Sequence, residues 1–227
     1  MSAPTEIVIR PYEASDRAGV RRVCYLTGFM GDPVDWLWRD QESFSDMFTG
    51  YWTDNEPGSA RVAELDGEVV GYLLGCTDSR RVKNLGKLFA HHAIGRGMAF
   101  RPGTAGIFRR MVTDGIEDAL RHRLPPPTYY DKRWPAHLHI DLLPVCRRQG
   151  IGERLVSEWL ERLRSEKIPG CHLQTMAENT GAIAFFDKMG FAKSGEPHGA
   201  PGFRTRSGAR MGVQLMVQPF GQEGSDG

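Results

Sequence analysis

The 227-residue sequence lacks the features of several protein classes. No apolar run approaches the ~18 consecutive residues that a transmembrane helix needs, so we expect no membrane partner. The 28 acidic and 29 basic residues nearly cancel, and the formal net charge of +1 provides no overall field that would attract nucleic acid. The first ten residues carry Glu6 and no basic stretch before an apolar one, so we expect no secretory signal.

Cysteine is scarce and scattered. The four residues Cys24, Cys76, Cys146 and Cys171 lie far apart and form no C-x-x-C pair. This spacing favours reduced thiols over a disulfide framework or a zinc site, and it is typical of a cytoplasmic protein. No repeat or long linker divides the chain, so we predict one domain over residues 1–220 and a flexible tail at 221–227.

Apolar periodicity and turn residues predict the order of the elements. Asp66-Gly67 between two apolar runs is a strong β-hairpin signal. Residues 77–134 are predicted as a mostly helical insertion, whose best helix covers Ile107 to Leu120. The predicted strands are 7–9, 61–65, 69–76, 136–143, 171–176, 191–195 and 211–218, and the predicted helices are 15–28, 33–51, 107–120, 152–167 and 180–189.

The turn between the strand at 136–143 and the next helix has the sequence R-R-Q-G-I-G from Arg147 to Gly152. Glycines at 150 and 152 allow a tight turn and a close approach of the backbone to a ligand. The first amides of a helix have no partners in the helix, and the helix dipole favours negative charge there. The turn therefore suits a pyrophosphate, although a simple tight turn with solvated arginines is the alternative.

A second block, from Asn179 to Phe191, follows this turn by about thirty residues. Together with Leu142, Pro144 and the turn itself, it resembles the GNAT superfamily of acyl-CoA-dependent N-acetyltransferases. The second block matches N-x-x-A-x-x-x-Y-x-x-x-G-F except at Phe186. Segments 9–12, 23–28 and 135–144 are similar to the branch that contains the acetyltransferase-like domain of O-GlcNAc hydrolases and its stand-alone bacterial relatives, some of which look catalytically silent.

The resemblance implies an α/β fold: a mixed, mostly antiparallel sheet of six or seven strands with helices on both faces. It implies acetyl-CoA as co-substrate, entering between two strands that diverge near Leu142 and Cys171. Asn179 would meet the arm near the thioester, and it also suits the N-cap of the following helix. The other implied cofactor contacts are the backbone of Leu142 and Leu143 with the pantetheine arm, Arg147, Arg148, Gln149, Gly150, Ile151 and Gly152 with the pyrophosphate, and Phe186 beside the sulfur.

His137, His139 and Asp141 alternate along one strand and therefore share a face. Acetylation needs a neutral amine, and a histidine that titrates near neutral pH suits a general base. Two alternatives remain open: a buried polar network that orders the sheet, and a zinc or iron site. We favour the catalytic interpretation, with no metal.

Phe186 stands where the family often has a tyrosine near the sulfur, so no hydroxyl is available there. Tyr25, Tyr72, Tyr129 and Tyr130 are possible substitutes that sequence cannot place. We therefore predict an N-acetyltransferase acting on a primary amine of a small molecule or protein. The alternative is a silent acyl-CoA-binding module, and the insertion could mediate a homodimer.

Residues 32–54 are rich in tryptophan and aspartate, where the family usually forms one wall of the acceptor site. An acidic, aromatic wall would suit a cationic amine. The interpretation that we favour is that the aromatics are core and the acids a solvated helix face. The tryptophans and aspartates of this segment are Trp36, Trp38, Trp52, Asp32, Asp35, Asp40, Asp46 and Asp54.

In the predicted insertion, His91 and His92 are expected at the surface.

Overall fold

The computed structural model describes residues 6–82, 85–121 and 129–221. The helices are α1 (Arg17–Thr27), α2 (Gln41–Ser45), α3 (Tyr51–Asn55), α4 (Leu85–Ala90), α5 (Ala105–Leu120), α6 (Ile151–Ser165) and α7 (Thr180–Lys188). The strands are β1 (Val8–Pro11), β2 (Ala60–Leu65), β3 (Glu68–Cys76), β4 (Ala136–Leu142), β5 (Gly170–Met176), β6 (Ala192–Lys193), β7 (His198–Arg204) and β8 (Arg210–Pro219).

The strands form one sheet in the order β1-β2-β3-β4-β5-β8-β6, with β7 also paired to β8. Strands β4 and β5 run parallel, and the other pairs of the described sheet are antiparallel. The predicted mixed, mostly antiparallel α/β architecture is confirmed. Eight strands replace the predicted six or seven because β7, which contains Gly199, Pro201 and Gly202, does not show the pattern of a strand.

Strands β4 and β5 separate almost as soon as they meet. Their described pairing is limited to Ala136 with Cys171 and His137 with His172. Beyond this point β4 continues beside β3, and β5 continues beside β8. The sheet therefore opens as a wedge, and its opening begins at His137 and His172, several residues before the predicted Leu142.

Two hydrophobic cores cover the two faces of the sheet. Helix α6 is amphipathic and packs its apolar stripe against β4 and β5. Helices α1, α2 and α5 belong to the core on the opposite face. Each fully buried large apolar side chain contributes about 1.5–3 kcal/mol. The buried residues of the α6 stripe are Leu155, Val156, Trp159, Leu160 and Leu163.

The predicted helix at 33–51 is displaced toward the C-terminus. It begins at Gln41, because the Asp40 side chain caps it by accepting from the Ser43 N–H at 2.7 Å. Residues before Asp40 form turns, and the helical path continues through a π-turn at Asp46–Gly50 to α3, which ends at Asn55.

Within residues 77–134 the structure describes α4, α5 and short helical turns, together with turns and irregular segments, and α5 covers the predicted span. The predicted apolar stripe of α5 divides: Ile107 and Phe108 are buried, whereas Val112, Ile116 and Leu120 are exposed. The proline run at 125–127 lies outside the described residues. The surface position expected for His92 is wrong, because its ring is buried with Nε2 3.1 Å from an Asp46 oxygen.

Candidate active site

The turn that precedes α6 presents free backbone amides. Arg148 and Gly150 adopt left-handed conformations, with φ of 62° and 71°. In the described part of the chain, the N–H groups from Arg148 to Gly152 have no hydrogen-bond acceptor. They lie at the N-terminus of a 15-residue helix, where the dipole favours negative charge. The turn therefore has free amides at the start of the helix, and its role as an anion site stays a prediction.

Side chains of this turn attach it to the rest of the protein. The Arg147 guanidinium donates to the Gly31 carbonyl beyond α1 at 3.0 Å, while Arg148 and Gln149 are exposed. Ile151 packs into the core beneath the turn. A Cβ at Gly152 would lie 3.2 Å from a Leu142 methyl group, so glycine lets the helix approach β4 closely.

The free edge of β4 faces the wedge. The Leu143 N–H donates to the Val70 carbonyl on β3 at 2.9 Å, so it is already used within the protein. Strand alternation then turns the backbone groups of Ile140 and Leu142 toward the opening. Across the wedge, Asn179 caps α7 by accepting from the Ala182 N–H at 3.1 Å, and it also lines the opening.

A cavity of about 400 Å³ lies between the wedge, the end of α1 and the α2–α3 segment. His137, His139 and Asp141 all line it, and Phe186 closes one side. The shared face predicted for the three polar residues is therefore part of the wall of this cavity.

Tyr72 of β3 joins two of these residues. Its hydroxyl donates to Asp141 Oδ2 at 2.5 Å and lies 3.0 Å from His139 Nε2. His139 Nε2 is also 3.1 Å from Asp141 Oδ2. Burial, together with the charge of Asp141, raises the pKa of Tyr72 well above its ordinary value, so the phenol stays protonated.

A comparison with known families decides what kind of protein has this arrangement. The family model of the acetyltransferase (GNAT) family matches residues 30–191. The chain belongs to the GNAT acetyltransferase family. It is therefore a transferase with acetyl-CoA as co-substrate, as predicted.

Solved structures share the GNAT fold along nearly the whole chain. SsHAT is 24% identical with a TM-score of 0.63, and the match covers 95% of this chain and 98% of that one. A phosphinothricin acetyltransferase from Sinorhizobium meliloti, solved with acetyl-CoA, is 19% identical with a TM-score of 0.57. The match covers 96% of this chain and 90% of that one. A ribosomal-protein-alanine N-acetyltransferase from Brucella melitensis is 17% identical, with a TM-score of 0.54 and coverage of 94% and 99%.

A stack of rings surrounds His137 in this GNAT chain. Its ring lies 5.6 Å from the Trp52 ring and 5.1 Å from the His172 ring. Burial and the neighbouring His172 lower the pKa of His137 well below its ordinary value, so it stays neutral near pH 7. His172 Nδ1 lies 2.8 Å from the Trp134 carbonyl oxygen, which it can reach as a donor. His137 therefore packs as a neutral aromatic group.

Donors for a metal ion also converge here. One atom each of Cys24, His139 and Asp141 lies within 4.8 Å of the other two. The Tyr72 hydroxyl already engages His139 and Asp141, and burial raises the pKa of Cys24 well above its ordinary value. These contacts support a hydrogen-bonded cluster more strongly than a metal site, which needs a thiolate.

The aspartates and tryptophans of residues 32–54 do not form a common wall. Trp52 lines the cavity, Trp38 is core, and Trp36 packs edge-on against Phe29. No aspartate of this segment lines the cavity in the described structure. Trp38 and Trp52 are core, as the favoured interpretation expects, and Trp36 is half-buried. The acids divide: Asp32, Asp35 and Asp54 are exposed, whereas Asp40 and Asp46 are half-buried in ion pairs.

The sequence predicts Tyr72 only as one of four possible proton donors, and it indicates no site role for Cys24 or Phe48. The signal for Tyr72 is the register of β3 with β4, which places it opposite Asp141. That register joins residues almost seventy positions apart, so no local pattern reveals it. No helix in the described ranges combines the length and the apolar character that crossing a membrane requires.

Proposed function

We propose that this GNAT acetyltransferase moves acetyl from acetyl-CoA directly to a primary amine in a ternary complex, with His139 as general base. The observation that carries the proposal is the position of His139. It lies on the cavity wall beside the wedge, and Tyr72 and Asp141 hold one of its ring nitrogens.

The hydrogen bonds around His139 select a tautomer. The Tyr72 hydroxyl has one proton, which it donates to Asp141 at 2.5 Å. Its oxygen can then only accept from His139 Nε2, so the neutral ring carries its proton on Nε2. Nδ1 keeps its lone pair and has no partner among the described residues, as a base requires.

The chemistry proceeds through one tetrahedral intermediate. The amine nitrogen attacks the thioester carbon, and its proton passes to His139 Nδ1. The C–S bond then breaks, and the pair of electrons leaves with the CoA sulfur. Phe186 offers no proton for that sulfur, but an alkyl thiol ionises near pH ~8.5, so a thiolate can leave without a donor at modest cost.

For the cofactor, we propose that the amides from Arg148 to Gly152 bind the pyrophosphate, assisted by Arg147 and Arg148. The Leu142 backbone would pair with the pantetheine arm as an added strand would. The amide of Asn179 would meet the arm near the thioester. The free N–H groups of the turn and the unpaired edge of β4 support these assignments.

His139→Gln tests the base. Release of free CoA with a panel of amines should fall about 10²–10⁴-fold in kcat, the usual range for general-base catalysis, while acetyl-CoA affinity is retained. His91→Gln makes the same change at an exposed histidine outside the cavity and should leave kcat unchanged. Equal rates for His139→Gln and the wild type would overturn the assignment.

Phe186→Tyr separates the proposal from a silent acyl-CoA-binding module. A wild-type chain that binds acetyl-CoA without turnover, together with a Phe186→Tyr variant that gains thioester cleavage, would support the silent module. Turnover by the wild type supports the enzyme.

Finer features of the sequence interpretation remain proposals of the same kind. One is membership of the branch that resembles the acetyltransferase-like domain of O-GlcNAc hydrolases. Another is a single domain over residues 1–220, with an insertion at 77–134 and a tail at 221–227. The last two are a cytoplasmic location and a homodimer formed through the insertion. Size-exclusion chromatography with light scattering would test the dimer.

A further inference from the structure

The part of the cavity wall that faces β4 is apolar. It comes from the α2–α3 segment and from β7 and β8, whereas β5 adds Gln174 and Thr175 to the lining. The Trp52 and Phe48 rings stack on His139 at 6.3 and 6.5 Å. The wall residues are Phe44, Met47, Phe48, Trp52, Phe203 and Val213.

Nearby carboxylates are turned away from this wall and neutralised. Asp46 pairs with Arg21 and His92, and Asp54 pairs with Arg17 at 3.0 Å. Among the described residues, Asp141 is the carboxylate that lines the cavity, and the Tyr72 hydroxyl occupies one of its oxygens.

An apolar wall discriminates between amines by charge. A fully buried ammonium without a paired carboxylate costs several kcal/mol, so a substrate with a second cationic group would be rejected. The reacting amine must itself be neutral, and apolar surroundings favour that form. Aromatic side chains also provide a large apolar surface that offset-stacked or edge-on rings can contact.

We propose that the acceptor is an arylalkylamine: a primary amine on an uncharged body of aromatic size, rather than a polyamine, an aminosugar or a basic peptide. The inference rests on the proposed N-acetyltransferase function and deepens it by naming the substrate class. The aromatic body would lie between Phe48, Trp52 and Phe203, and its amine would point to His139.

Two amines of equal length and different charge test whether the cavity rejects a second cationic group. Hexylamine and 1,6-diaminohexane differ by one terminal ammonium, and kcat/KM should favour hexylamine by about 100-fold or more. The value for 2-phenylethylamine should exceed both, measured by CoA release at saturating acetyl-CoA. Equal or better use of the diamine would overturn the substrate class and leave the transferase function intact. Failure with every amine, despite bound acetyl-CoA, would overturn the transferase function and this inference with it.

Two variants locate the effect on the wall. Met47→Glu adds a carboxylate to the apolar wall. It should reduce the ratio of kcat/KM for hexylamine to kcat/KM for 1,6-diaminohexane at least about 10-fold, because a tenfold change requires only ~1.4 kcal/mol. Ile116→Glu makes the same addition on the exposed face of α5 and should leave the preference unchanged. Trp52→Ala should lower kcat/KM for 2-phenylethylamine more than for hexylamine. An unchanged preference in both wall variants, with folding verified by circular dichroism, would contradict the proposal.

Discussion

Tyr72→Phe removes a single oxygen from the centre of the hydrogen-bonded cluster of Tyr72, His139 and Asp141. That oxygen donates to Asp141 at 2.5 Å and is 3.0 Å from His139 Nε2. The ring of Tyr72 is fully buried, whereas His139 and Asp141 line the cavity. The variant therefore leaves the ring packing intact and changes only the hydrogen bonds around His139, the proposed base.

The expected loss of stability follows from the groups that the Tyr72 hydroxyl contacts. A hydrogen bond to a charged group contributes about 1.5–3 kcal/mol, so the free energy of unfolding should fall by that amount. Tyr25→Phe is the matched control, because the Tyr25 hydroxyl donates to the neutral Trp38 carbonyl at 2.9 Å. Its loss should cost only about 0.5–1.5 kcal/mol. Asp141 still lies 3.1 Å from His139 Nε2, so kcat should fall about 10–100-fold, less than the full contribution of a base.

Urea unfolding and the kcat of the folded fraction measure the two effects separately. A role that is only structural would lower stability and leave kcat per folded molecule unchanged. Orientation of His139 predicts a lower kcat per folded molecule in Tyr72→Phe and an unchanged one in Tyr25→Phe. Equal kcat values for the two variants would refute the reasoning.

Three further predictions concern the glycine turn before α6, the ion pair between Asp114 of α5 and Arg204 of β7, and the pair His137 and His172. Gly150→Ala places a side chain at a φ of 71°, so it should cost about 1–2 kcal/mol and weaken acetyl-CoA binding in calorimetry. Asp114→Ala should lower the free energy of unfolding in urea by about 3 kcal/mol, because the buried carboxylate accepts two bonds of 2.7 Å from Arg204. Burial lowers the pKa of both His137 and His172, so below pH ~6.5 the unfolded chain binds protons that the folded chain does not. Stability should therefore fall with falling pH, by up to about 1.4 kcal/mol per pH unit for each histidine.

The first two of these predictions have comparison variants, and the third has a result that would contradict it. Gly58→Ala lies in open space without a positive φ and should leave cofactor binding unchanged. Arg204→Ala should destabilise less than Asp114→Ala, because Asp114 still accepts from the Gly202 N–H at 2.8 Å, and a double variant should cost less than the sum. A urea midpoint that stays constant from pH 7 to pH 5 would contradict the histidine prediction.

Much of the fold is predictable from local pattern. The alternation of β4, the apolar stripe of α6 and the Asp66-Gly67 turn each depend on residues that are neighbours in sequence. The errors lie where local signals are weak. Strand β7 carries glycine and proline, and residues 33–39 have apolar side chains that pack in turns rather than in a helix.

The sequence by itself determined the turn and its free amides, because the glycines and the first amides of α6 are contiguous. The cluster around His139 depended on the tertiary structure. Tyr72 reaches His139 and Asp141 only through the pairing of β3 with β4, and Trp52 reaches them only through the packing of α3 over the sheet. Such contacts join distant segments, and their register follows from the burial of the whole sheet rather than from any short pattern.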